Sequence, residues 1–165
     1  MGDLQCAARV FVARHGEADY ESELLSDAGG SLSALGREQS LALADSLTGQ
    51  RIAHVYVSSM SRAVQTGDIV AARLGVGVTV RHGLRELGVG SHAGQPADPD
   101  PFRPVFDHWL DGRLDTPIPG AESGSQVVDR VCGVLEEAAD RYRGEAVLVI
   151  SHGGCLLYTS PSPRD

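Results

Sequence analysis

Two histidines sit at the ends of apolar runs, His15 within Arg14-His15-Gly16-Glu17 and His152 within Ser151-His152-Gly153-Gly154. A neutral imidazole is a good nucleophile near pH 7. Arg14 adjoins His15, and Arg62 follows another apolar run that ends at Ser58. A guanidinium presents a planar fork that pairs with two oxygens at once, which suits a phosphoryl group. His152, when protonated, adds a third cationic donor. Glu86, in Leu84-Arg85-Glu86, offers a carboxylic acid for a leaving oxygen. A nucleophile, cations around the oxygens and an acid are what phosphoryl transfer needs. Other histidines carry less meaning: His54, His82, His92 and His108 have no metal-ligand spacing and read as surface or loop residues.

The composition narrows the alternatives. The chain has 165 residues and a formal net charge of −8. That size predicts one domain. The negative balance argues against a nucleic-acid or acidic-membrane partner, which both need a basic face. All 14 basic residues are Arg, so neither a Schiff-base lysine nor a P-loop lysine is available. The 3 cysteines form no CxxC pair and no even disulfide framework, as in a reduced, cytoplasmic protein. No apolar run reaches membrane-spanning length, and no secretory signal is visible.

The elements that must position these groups alternate. Residues 8–13, 53–58, 76–81 and 146–150 read as strands, the first and last as buried parallel ones. Helices are predicted from Ser33 to Gly49, over 61–74 with Gly75 as the stop, and over 123–142; residues 105–110 form a short one. In the first helix Leu35, Ala42, Leu43 and Leu47 are the core candidates. Residues 19–30 read as a polar loop. Residues 83–122 form an excursion whose Gly- and Pro-rich start should roof the site. The pattern is α/β, with ligands expected at the carboxyl ends of the strands. His15, His152, Ser58 and Arg62 then share one rim.

Five ordered stretches carry a resemblance. Residues 10–16 and 147–154 resemble the two signature stretches of the histidine phosphatase (phosphoglycerate-mutase-like) superfamily. Leu32-Ser33-Ala34-Leu35-Gly36-Arg37-Glu38-Gln39 resembles that family's LTxxGxxQ helix start, and residues 58–66 its SxxxRAxQT segment. Gly120-Ala121-Glu122-Ser123 resembles its GGES turn. The resemblance implies a three-layer α/β/α sandwich with a mostly parallel sheet. It implies hydrolysis of a phosphate monoester through phosphohistidine at His15. Arg14, Arg62 and His152 would hold the phosphoryl oxygens, and Glu86 would protonate the leaving alcohol and then help activate water. Ser58 and the backbone at Gly16 would add hydrogen bonds. No metal and no cofactor is implied, and the partner is a small phosphorylated substrate. Glu17 is read as a loop organiser, and with Glu122 it is an alternative to Glu86.

One position departs from the family pattern: Glu21 stands where many members have a phosphate-donating Asn. An ionised Glu there would repel the substrate unless its loop is displaced. Two other readings therefore accompany the phosphatase: a phosphoglycerate mutase-type phosphotransferase, which the short excursion disfavours, and an inactive phospholigand-binding module, which Glu21 favours. The last eleven residues, 155–165, match in order the translation of a transposase-type sequencing adapter. The sequence thus predicts a domain over 1–154 and a non-native tail over 155–165. The helix and strand that would follow the last predicted strand are then missing.

Overall fold

The computed structural model describes residues 6–159. Its elements are β1 (Arg9–Arg14), β2 (Ala18–Asp19), β3 (Ser31–Leu32), α1 (Ala34–Leu47), β4 (Ile52–Ser58), α2 (Ser61–Leu74), β5 (Gly77–Arg81), α3 (Arg103–Leu110), α4 (Gly124–Arg141), β6 (Ala146–Ser151) and α5 (Gly153–Thr159). Every residue of β6 is buried, because this strand is central and covered on both faces. Its side chains alternate: Ala146, Leu148 and Ile150 join the core under α1 and α2, while Val147 and Val149 join the core under α4. A strand covered on both sides needs apolar residues at every position, which is why it reads as an unbroken run.

The sheet is parallel throughout, in the order β1-β6-β4-β5. Arg14 pairs with Ser151, Val57 with Ile150, and Ser58 with Arg81. The carboxyl ends therefore lie side by side, and the residues just beyond them form one rim. The chain crosses from β1 to β4 and returns to lay β6 between them. That topological switch opens the crevice where α/β sheets bind ligands. The structure is the expected α/β sandwich.

β1 is an edge strand and not a buried one. Val12 is 41% exposed, because among the described residues nothing pairs with the outer side of this strand. Residues 19–30 are not simply a loop either. β2 and β3 pair antiparallel, Ala18 with Leu32 and Asp19 with Ser31, and close the intervening residues into a lobe. Two-residue strands are too short to show a period in the sequence.

α1 meets the core through Leu43 and Leu47 as predicted, but not through Leu35 and Ala42. Leu35 is 48% exposed and Ala42 is exposed, whereas Gly36, Ser40, Ala44 and Leu47 are buried. Small residues let α1 approach the segment after β1 closely. A Cβ on Gly36 would collide with the Glu17 carbonyl oxygen, and one on Gly16 with the Gly36 carbonyl oxygen. Gly36→Ala should therefore cost about 1–3 kcal/mol through overpacking. In a chain of this size that lowers Tm by roughly 3–10 °C, read by thermal denaturation. An unchanged Tm would show that α1 can slide away.

α2 spans its predicted residues, and Gly75 closes it with φ of 70°. α4 starts with a capping box between Ser123 and Gln126. The excursion carries its own small core of Val105, Trp109 and Ile118, with Phe102, Phe106 and Leu114 packed against it. Trp109 is packed in this core, and its Nε1 donates to the Thr116 carbonyl at 2.7 Å.

β6 is followed directly by α5, whose Cys155 is buried in the α4 core. A helix thus does follow the last strand, and it includes residues assigned to the tail. The Ser-Pro-Ser-Pro stretch at 160–163 lies outside the described residues. Among those described, no helix is long and apolar enough to cross a membrane.

Candidate active site

The β1 end delivers His15. Its Nδ1 lies 2.6 Å from the Gly16 carbonyl oxygen, an acceptor only, so Nδ1 carries the hydrogen and donates. Nε2 is then the bare nitrogen, and it accepts from Arg62 Nε at 3.0 Å. Burial holds the His15 pKa below the usual histidine value, with Arg62 and Arg14 adding to the effect against the opposing pull of the Gly16 hydrogen bond and Glu86. The ring is therefore neutral at pH 7, with its lone pair on Nε2.

Arg62 sits in the first turn of α2, buried, with Tyr20 across its guanidinium at 5.5 Å. Its Nη1 is buried without a hydrogen-bond partner. Gly29 presses so close to this nitrogen that a Cβ there would collide with it. The Arg14 side chain is exposed, lies over Gly153, and makes no hydrogen bond or ion pair among the described residues.

The β6 end delivers His152, whose ring centroid is 5.0 Å from that of His15. It is wholly buried, and burial, Arg62 and His15 push its pKa down to about 2. His152 is accordingly a neutral donor in the unliganded site and not the third cation. Its Nε2 is 2.8 Å from Ser58 Oγ, which also accepts from Met60 N at 3.2 Å. The network is satisfied when the Ser58 hydroxyl donates to Nε2, which leaves the hydrogen on Nδ1. His152 Nδ1, like Arg62 Nη1, is buried without a partner. Buried polar groups are nearly always paired, so two orphans in one site mark a place for an anion.

The buried neutral His152 has a consequence for stability. Its folded pKa lies below the 6.5 of the unfolded chain, so the unfolded state binds more protons as pH falls below 6.5. The stabilisation is present above 6.5 and is lost progressively toward pH 2. Tm should fall between pH 7 and pH 4, and His152→Gln should flatten that slope. A wild-type Tm that rises on acidification would contradict the assignment.

Ser58 and Gly16 do other work than predicted. Ser58 is wholly buried behind His152 and orients that ring without facing a ligand. The Gly16 N–H is taken by Thr66 Oγ1 at 3.0 Å, so it cannot donate to a phosphate. Glu17 does organise its loop: its Oε2 accepts from Ser33 Oγ at 2.6 Å, and its N–H donates to Gln39 at 2.8 Å.

Glu86 follows β5 and a short 3-10 turn. Its carboxylate accepts from Leu87 N at 3.0 Å, Cys155 N at 3.1 Å and Gly154 N at 3.2 Å, so the first turn of α5 fixes its position. Arg130 braces the same segment through the Gly83 and Arg85 carbonyls, both at 2.7 Å. Its other nitrogens hold Glu122 at 2.8 and 2.9 Å, and among the described residues Glu86 forms no ion pair. Arg130 and Tyr20 were not singled out in the sequence, and Thr66 appeared only as the last residue of the 58–66 motif with no role. The spacing of Arg130 and Tyr20 from the histidines has no regularity, and only the fold brings them near.

Two hollows share Tyr20. One, of about 410 Å³, is lined by Arg14, His15, Gly16, Glu17, Ala18, Tyr20 and Gln39. The larger, of about 660 Å³, reaches from Arg62 and Glu86 to Phe102 and Val89. Glu21 lines neither, so the lobe turns it away and Tyr20 takes the inner position.

With two histidines and two arginines on one α/β rim, the arrangement defines a phosphoryl-handling site, and residues 10–159 match the histidine phosphatase superfamily (branch 1). The chain belongs to that superfamily. It is 33% identical over 165 residues to phosphoglycerate mutase-like protein 4 of Arabidopsis thaliana, covering 94% of this chain and 72% of the relative. It is 29% identical over 160 residues to a probable phosphoglycerate mutase, GpmB, of Escherichia coli, covering 92% and 74%. The solved structure of a mycobacterial glucosyl-3-phosphoglycerate phosphatase matches with a TM-score of 0.74 at 28% identity, covering 93% of this chain and 77% of that one.

Proposed function

We propose that this protein is a phosphatase that hydrolyses phosphate monoesters through a phosphohistidine on His15. The bare Nε2 of a neutral His15, held beside two orphaned buried nitrogens, carries the reading. Substrate phosphate draws Arg62 from Nε2 onto its own oxygens. Arg14 and His152 Nδ1–H complete the clamp, and these donors hold the charge that builds in the transition state. Nε2 bonds to phosphorus as the ester P–O bond breaks, and Glu86, entering protonated, gives its proton to the departing alkoxide. Glu86, now a carboxylate, takes a proton from water as the water oxygen attacks phosphorus. The P–N bond breaks, which restores His15 and releases orthophosphate.

Incubating the protein with a panel of phosphate monoesters tests this. Orthophosphate release, together with an acid-labile, alkali-stable phosphoenzyme on rapid quench, is the expected result. Transfer that conserves phosphate and needs bisphosphoglycerate priming would instead indicate the mutase named among its relatives. Neither release nor a phosphoenzyme would leave a binding module.

A further inference from the structure

In-line displacement puts the leaving alcohol opposite the nucleophile. His15 faces the smaller hollow, and Glu86 lies in the larger. The larger cavity is therefore on the alcohol's side of the phosphorus. Its volume, about 660 Å³, suits a ligand far bigger than a phosphate with a three-carbon acid.

The polar groups of this cavity are mostly engaged. Glu122 and Arg130 hold each other, Asp27 Oδ1 accepts from Val89 N at 2.9 Å, and Glu86 is gripped by three backbone N–H groups. Arg85, His82, Ser26 and Tyr20 also line the cavity. The apolar part of the wall is Leu25, Met60, Leu87, Val89 and Phe102. Phe102 is fixed there by stacking on Phe106 at 5.7 Å and by the edge contact of His92 at 5.1 Å. The opposite wall is pinned too, since Leu25 exchanges backbone hydrogen bonds with Gln95 and Gly94, both at 2.8 Å. A chamber whose exposed lining is more apolar than polar rewards burial of an apolar body.

We propose that the physiological substrate is a phosphate monoester of an extended, largely apolar alcohol, whose hydrocarbon body lies between Leu25, Val89 and Phe102. This inference rests on the phosphatase reading, and the experiment separates the two. Primary alkyl phosphates from ethyl to octyl have leaving groups of nearly equal acidity, so differences among them report burial. With the 165-residue chain, kcat/KM should rise about fourfold for each methylene that enters the cavity, then level off. Glycerol phosphate and 3-phosphoglycerate should fall near ethyl phosphate. Phe102→Ala should cut the hexyl-to-ethyl ratio at least tenfold. A flat series, or 3-phosphoglycerate exceeding hexyl phosphate, overturns the inference and leaves the phosphatase standing. Release from no ester overturns the phosphatase reading. In that event the same chain-length series of alkylphosphonates, followed by calorimetry, still decides: affinity that climbs with length supports an apolar ligand, and affinity independent of length refutes it.

Discussion

Replacing His15 by alanine is expected to reduce phosphate release by roughly 10^4- to 10^6-fold, the range seen when a nucleophile is removed from an otherwise intact site. The size of the loss follows from the lack of a substitute. His152, the nearest imidazole, has its Nε2 committed to Ser58 and its Nδ1 carrying the hydrogen. Cys155 is buried, and burial pushes its thiol up to about 12, far from the thiolate form. The phosphoenzyme signal should vanish with the activity. A variant that keeps a tenth of wild-type turnover would place the nucleophile elsewhere.

Arg62→Ala should cost roughly 10^2- to 10^3-fold in kcat, as for loss of a transition-state donor. The second readout is the pH profile. Arg62 helps to hold the His15 pKa below its usual value, so removing the charge raises that pKa and moves the acid limb of kcat/KM to higher pH. Arg62→Lys should not restore activity. The side chain must meet Nε2 of His15 through Nε while Nη1 waits for the phosphate, and an ammonium has no such fork. Recovery by lysine beyond a tenth of wild type, or an acid limb moving to lower pH, would show that Arg62 acts only as a diffuse charge.

Much of this molecule was legible in the sequence where one physical rule dominated. β6 had to be apolar throughout because both of its faces are covered. α2 could be bounded from its periodic core face and its closing glycine. That His15, Arg62 and His152 share one rim was legible because each lies just beyond a strand inside an ordered motif, whereas Glu86 was read only from its place after the third predicted strand.

The misreadings share a cause. On α1, side-chain size and not hydrophobicity chose the face, so Gly36, Ser40 and Ala44 went inward while Leu35 stayed out. Ser58 and Gly16 were rightly placed at the rim but wrongly given to the ligand, because their hydrogen-bonding capacity is spent on His152 and Thr66. Glu21 looked like an obstacle because residue type alone was visible, yet it lines neither hollow. Whether a partner atom is already occupied is a property of the folded surroundings, which local residue order does not record.

The grip on Glu86 carries a last consequence. Two of its three backbone donors, Gly154 and Cys155, belong to α5, whereas the histidines are anchored by the sheet. The end of a helix holds together mainly through what it packs against. Warming is expected to loosen α5 before the sheet opens, which leaves Glu86 only its bond to Leu87 N. Heat inactivation is then expected to show a midpoint of its own, below that of unfolding. On the proposed mechanism, the protein in that interval keeps its grip on phosphate but loses the fixed acid that the alcohol needs.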